Sequence, residues 1–384
     1  MPREIKKNCV RLSAALTIIF ILQACGISTN EILSEPVTQP HFLKINEGFT
    51  NPLGFYNAKP NFSWRLKPNG AVLSQTKYQI IVASHPNLLA QQADLWDSGI
   101  IETGKSTFVE YEGKPLISRQ KVYWQVRYWD QDNRTSDWSD IATFELGLLS
   151  NNDWSAQWIE IDSKQAIKLN QFDTPIHAPQ YLRTAFTSNK EIIKARLYIT
   201  AKGLFDAFIN GNKVGDDVLT PGYTPYKKRI ETLTYDVTGH LQDGENAIGI
   251  QLAEGWYAGR FGPKRHWHKK LALTPKVLAQ LEIEYSDGTI QTVNTDDNWQ
   301  ATQNGPIRTS GLYDGEHYDA NYDLGAWSQP AYDTFGWSSV KTSPIEAAVL
   351  LQPKRHFTLK NKDWLTPVTI SRLDEDTYIY DLGQ

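Results

Sequence analysis

Between Val277 and Tyr285 the chain reads VLAQLEIEY, which sets Val277, Ala279, Leu281, Ile283 and Tyr285 on one side of an extended backbone. A two-residue period suits a strand with one face on a core, and a helix cannot gather that set on a single face. The same pattern recurs in YLRTAF (Tyr181–Phe186), KARLYITA (Lys194–Ala201), LFDAFING (Leu204–Gly211) and NAIGIQLAEG (Asn246–Gly255). Asn210-Gly211 and Asp287-Gly288 are hairpin signals, because both central positions of such turns favour positive φ. No long amphipathic helical pattern interrupts the run. Residues 149–341 are therefore expected to form a jelly-roll-type double β-sheet.

Residues 42–148 carry a shorter series of the same kind: FSWRL (Phe62–Leu66), YQIIVAS (Tyr78–Ser84), VYWQVRYWD (Val122–Asp130) and ATFELG (Ala142–Gly147). Pro68-Asn69-Gly70 and Asp132-Asn133 punctuate them as turns. Strands at that spacing indicate one immunoglobulin or fibronectin type III-like sandwich. Within YWQVRYWD, Trp124, Val126 and Tyr128 share the expected core face, opposite Tyr123, Gln125, Arg127 and Trp129. TSDWSD (Thr135–Asp140) precedes the last strand, and these tryptophans are read as packing residues. The polar run near 148–158 marks the domain boundary. From 342 to 384 the pattern reads as the start of a further β-domain, truncated after YIYDLGQ (Tyr378–Gln384). The fold class expected for the whole chain is all-β.

The N-terminus follows a different logic. Arg3, Lys6, Lys7 and Arg11 precede the apolar run Leu12–Leu22, too short to span a bilayer as a helix but suited to a signal-peptide core. Leu22-Gln23-Ala24-Cys25 resembles a lipobox, with Gln23 an uncommon occupant of its position. Residues 1–24 are thus expected to be a lipoprotein signal, Cys25 the lipidated thiol, and 25–41 a tether lacking apolar periodicity. An exported, membrane-anchored lipoprotein, periplasmic or at the cell surface, is the expected location. Cys9 leaves with the signal, so no disulfide is expected within the mature chain.

The 384 residues include 13 Trp, 18 Tyr and 14 Phe, enough to fill sandwich cores or to stack on sugar rings. Net charge is −4 with acids and bases interspersed, and the missing basic stripe argues against a nucleic-acid partner. Neither a nucleophile–base pair nor a phosphate-binding loop is visible. Aromatic residues, glycine turns and isolated acids in loops suit a polar, uncharged ligand such as a sugar. Asn210 offers an amide that both donates and accepts. Glu254 precedes Gly255-Trp256-Tyr257 at a strand end, and Asp314-Gly315-Glu316 is a turn with two carboxylates. Trp256, Tyr257 and Trp267 are candidate stacking platforms. Pro221, Tyr223 and Tyr226 either order a long loop or rim the pocket, and Asp206, Asp216 and Asp217 are further oxygen donors. Each also has a bland reading as a turn, a solvated acid or a core ring. His266 and His268 lack the companions of a zinc site.

Read in order, FSWRL, YQIIVAS, LWDSG, YWQVRYWD and DWSAQWI, then FINGNKVG, LTPGYTPY, LTYDVT, LAEGWYAG, VLAQLEIEY and GEHYDA, resemble the N-terminal half of bacterial α-L-rhamnosidases. The resemblance covers nearly all of 42–340. It implies a sandwich that binds L-rhamnose, or a rhamnosylated plant glycan, through a calcium ion. Asn210, Glu254, Trp256 and Tyr257 would hold the sugar, and Asp314, Glu316 and Glu254 the metal. Ala253 stands where a second amide would complete that set. The resemblance also implies a catalytic (α/α)6 barrel further along, for which this sequence has no helical repeat, so a non-catalytic, glycan-binding role is expected. A ligand-free spacer, or a glycosidase in its own right, are the alternatives. No residue is assigned as the acid or base of glycoside hydrolysis.

Overall fold

A computed structural model describes residues 36–67, 72–162, 178–259 and 273–383, with the backbone of two short strands at Lys168–Leu169 and Pro175–Ile176. The expected signal segment, Cys25, most of the tether, the Pro68-Asn69-Gly70 turn, and His266, Trp267 and His268 lie outside the described residues. Among the described residues the helices are Pro86–Gln91 and Gly255–Ala258 plus three 3-10 turns, and none is long and apolar enough to cross a membrane. The chain is otherwise strands and turns, as the two-residue periods require.

In the first sandwich, His41–Ile45, Asn61–Arg65 and Val109–Glu110 make one sheet. The other runs Leu53–Phe55, Ala142–Leu146, Lys121–Asp130, Gln75–Ala83, Trp96–Asp97, with Ile101–Glu102 added to Gln75–Ala83. Trp124, Val126 and Tyr128 are buried, on the face that alternation selects. Trp124 and Phe62 meet with ring centroids 4.6 Å apart. TSDWSD zips along Lys121–Asp130: Ser136 and Ser139 hydroxyls each accept from its backbone N–H groups at 3.1 Å. Arg127 lies 4.6 Å from the Trp138 ring and 5.2 Å from Trp129, so these outward tryptophans serve packing through a cation–π ladder.

The second sandwich is one sheet curled on itself. Its front half is ordered Asn212–Lys213, Leu204–Ile209, Gly244–Ala253, Gln180–Ser188, Gln300–Thr302. Ser338–Ser343 carries the pairing onward to the back half, Trp158–Ile161, Lys276–Tyr285, Ile192–Lys202, Arg229–Asp236 and Leu350–Pro353. The inward row Val277, Ala279, Leu281, Ile283, Tyr285 faces Leu182, Ile248, Ile250, Leu252 and Phe205 in the core between the halves. The outward row of the same strand is also covered. Leu278 packs with Trp154, Trp158, Tyr198 and Ile230 in a second apolar layer beneath the connecting segment.

That layer corrects the expected boundary at 341/342. Ser338–Ser343 runs through it, pairing with Trp158–Ile161. Leu350–Pro353 then lies parallel to Arg229–Asp236. Burial of Val349 and Leu351 in the outer layer draws these residues into the second sandwich. Of the expected third segment, Leu359–Lys360 pairs back onto Asp217–Val218, and only the hairpin Thr369–Arg372/Tyr378–Asp381 stands apart from the sandwich pairing.

The two sandwiches meet across buried charges. Glu145, 3% exposed, accepts from Arg196 Nε at 2.8 Å and Nη2 at 3.0 Å, and Lys194 approaches to 3.1 Å. Arg119 grips Glu282 through Nε and Nη2 and donates to the Asp153 carbonyl at 2.8 Å. Phe357 adds a ring contact to Phe49 at 4.6 Å.

Candidate functional site

The outward face of the front half-sheet positions a cleft of ≈ 410 Å³. Its floor includes Asp206 and Gln251, cross-strand partners whose neighbours Phe205, Ile250 and Leu252 point into the core. Strand alternation alone therefore turns both polar side chains outward. One wall is the hairpin Ile307–Gly311/Gly315–Tyr318, which supplies Ile307, Ser310, Leu312 and Glu316. Leu204, Leu219, Ala253 and Gly255 close the opposite side.

Several contacts hold this frame. Tyr181 accepts a hydrogen bond from Ile307 N–H at 3.4 Å, and its ring meets Trp327 at 5.3 Å. Burial pushes its phenol above the usual range, so it remains a neutral anchor. Trp327 lies over Gly249, where a Cβ would come within 2.6 Å of the indole. Gly255, at φ +52, packs beneath Leu204, whose Cγ would be 2.6 Å from an added Cβ. Asp206 pairs with Lys213 at 2.7 Å.

The residues singled out from sequence are placed unevenly. Glu316 lines the cleft, and so does Gly255 from the LAEGWYAG run. Glu254 is 3% exposed and lies before the turn Gly255–Ala258, with its Oε2 3.4 Å from where a Cβ on Gly259 would stand. Asp314 is exposed at the hairpin tip, its N–H donating to Gly311 O at 3.2 Å. Trp256 and Tyr257 join a ring cluster instead of the lining: Trp256 meets Tyr223 at 6.4 Å and Tyr257 meets Tyr226 at 5.1 Å. Burial raises the Tyr226 and Tyr257 phenols.

Asn210 sits at the far end of Leu204–Ile209 from the cleft. Its Nδ2 donates to His240 O at 2.9 Å and Asn246 Oδ1 at 2.8 Å, and its Oδ1 accepts from Ala247 N at 2.8 Å. Both ends of the amide thus lock the turn, and Asn210 is not among the residues that line the cleft. Gln251 and Leu219 were missed. Gln251 was legible as the outward polar residue in NAIGIQLAEG, whereas nothing local marks Leu219.

Calcium needs about six to eight oxygen ligands. Among the described residues no three His, Cys, Asp or Glu side chains come together to hold an ion. Glu254 is buried while Asp314 and Glu316 are on the exposed hairpin. Among the described residues the three acids of the expected set therefore do not gather into one ion-holding group.

Comparison with known proteins bears on the whole frame. Residues 190–359 match the family model described as the α-L-rhamnosidase N-terminal domain, and 40–150 match the Rha78A-like N-terminal immunoglobulin domain. An α-L-rhamnosidase of Formosa agariphila is 49% identical over 370 residues, covering 96% of this chain and 39% of the relative. The structure of an α-L-rhamnosidase from Dictyoglumus thermophilum superposes with a TM-score of 0.80 at 32% identity, covering 90% of this chain and 38% of that one. A Streptomyces avermitilis α-L-rhamnosidase, solved in complex with L-rhamnose, shares the fold with a TM-score of 0.77 at 24% identity, covering 89% and 49%. The chain thus spans between 38% and 49% of the length of these relatives. Its two sandwiches are the N-terminal immunoglobulin-like and β-sandwich domains of the bacterial α-L-rhamnosidases.

Proposed function

We propose that this chain is the non-catalytic, glycan-holding N-terminal part of an α-L-rhamnosidase, and that its cleft receives a neutral sugar, L-rhamnose or a rhamnosylated plant glycan foremost. The observation that carries the reading is the make-up of the cleft. Asp206, Gln251, Ser310 and Glu316 face the same space as Leu204, Leu219, Ile307 and Leu312. Sugar hydroxyls donate to carboxylate oxygens and exchange bonds with amide and hydroxyl groups, while C–H faces pack on the apolar side chains. Asp206, held by its ion pair with Lys213, presents carboxylate oxygens to accept from sugar hydroxyls.

Calorimetric titration of the chain with L-rhamnose tests this. Binding should be weak but measurable, unaffected by EDTA, and reduced at least tenfold in Asp206→Asn or Glu316→Gln through loss of a charge-assisted hydrogen bond of roughly 1.5–3 kcal/mol. No nitrophenol should be released from an aryl α-L-rhamnoside. A folded protein that gives neither heat nor chemical-shift changes would instead be a spacer. We also propose membrane attachment through a lipid on Cys25; labelled palmitate should enter the chain and be lost in Cys25→Ala.

A further inference from the structure

Leu219 has a backbone conformation that a branched side chain seldom adopts. Its φ is +55, in the left-handed region, and the side chain is 41% exposed at the cleft. Left-handed residues of this size are strained and persist only where their surroundings fix them. The surroundings here do so on both sides. Before it, Asp217–Val218 pairs with Leu359–Lys360. After it, Thr220 is buried, its hydroxyl donates to Phe205 O at 2.7 Å, and its carbonyl accepts from Phe205 N at 3.0 Å. The strain thus holds a half-exposed leucine at the mouth of a polar-floored cleft. Across from it, Leu312 on the hairpin is 37% exposed and lines the same space.

Two solvent-facing leucines over a floor of Asp206 and Gln251 make an asymmetric receptor. The floor satisfies ring hydroxyls, whereas the two leucine side chains themselves offer no hydrogen-bond partner and reward a carbon substituent that needs none. We propose that Leu219 and Leu312 are specificity-determining residues that select a 6-deoxyhexose, reading its C6 methyl against the hydroxymethyl of the parent hexose. A hydroxymethyl packed between the two leucines would give up part of its hydration for apolar contact, while a methyl buries apolar area on both leucines with no hydroxyl to dehydrate. The inference rests on the carbohydrate reading above and adds the residues and the substituent that they discriminate.

The experiment compares L-rhamnose with L-mannose, which differ only at C6, by saturation-transfer NMR and calorimetry on the chain and on two variants. Leu219→Gly is the cleaner variant, because glycine accepts the left-handed backbone and the fold is expected to keep its thermal midpoint. Leu312→Ser removes the opposite rim. Wild type should prefer L-rhamnose about tenfold, within the range open to one substituent in an apolar pocket. Each variant should narrow that ratio to about threefold or less, mainly by weaker L-rhamnose binding. Retained binding with an unchanged ratio in Leu219→Gly overturns the role of the rim and leaves the carbohydrate reading standing. If wild type binds neither sugar, the carbohydrate reading fails and this inference fails with it.

Discussion

Removing the carboxylate of Glu145 should do more damage than any other single change at the joint between the sandwiches. In Glu145→Ala, Arg196 loses its acceptors at 2.8 and 3.0 Å, and Lys194 loses its neighbour at 3.1 Å. Arg196 is only 8% exposed, so water cannot readily replace them. Its Nη1 keeps Asp236 at 2.9 Å and Ala195 O at 3.0 Å. Breaking a buried pair from one side costs about 3–5 kcal/mol. The retained Asp236 contact puts this case at the lower end, roughly 3 kcal/mol, or a fall in Tm on the order of 5–10 °C. Urea denaturation followed by tryptophan fluorescence would measure it, and Glu145→Met, Arg196→Leu and the two together form the matching double-mutant cycle. Because the pair's desolvation penalty disappears with both charges, the double variant should lie within about 1 kcal/mol of wild type. Should Glu145→Ala cost under about 1 kcal/mol, or the double variant fall to the sum of the singles, the argument from buried charge is wrong.

Asn210→Ala should destabilise by about 2–3 kcal/mol in the same denaturation assay, through lost buried hydrogen bonds and a left-handed backbone at φ +50, yet leave sugar affinity unchanged. Gly249→Ala should cost about 1–3 kcal/mol by driving its Cβ into Trp327, and limited proteolysis should then cut faster within residues 320–337. Alkaline pH should unfold the protein. Burial pushes the Tyr111 phenol up to about 12 from 10.0, and Tyr198, Tyr226 and Tyr235 are raised by the same cause. The unfolded phenols ionise first, so unfolding releases protons above pH 10. Stability should hold steady below that value and decline as pH rises towards 12, which circular dichroism against urea at stepped pH would show.

Local pattern carried the strands and failed at what crosses between them. The alternation of VLAQLEIEY identifies the inward row, because a two-residue period is a property of the segment itself. Burial of Leu278 on its other side depends on Trp154 and Trp158 arriving from another domain boundary, which no window around residue 278 contains. Leu350–Pro353 read as a new beginning because its parallel partner Arg229–Asp236 lies far back in the chain. The site shows the same division. Asn210-Gly211 announced a turn, but the partners that occupy its amide, His240 and Asn246, come from another strand's approach. Glu316 was visible as an acidic turn residue, whereas its nearness to Asp206 and Gln251 is a product of topology.

The connecting segment has a mechanical consequence. Asn151 donates to Val349 O at 2.7 Å and accepts from Leu351 N–H at 2.8 Å, while Ser155 N–H donates to Gln280 at 2.7 Å. A swivel needs a few backbone torsions free to turn, and here they are stitched to the sheet beneath. The pair should therefore pivot in solution as a single stiff lever, so that a tug on the first sandwich re-aims the mouth of the cleft instead of merely bending a joint.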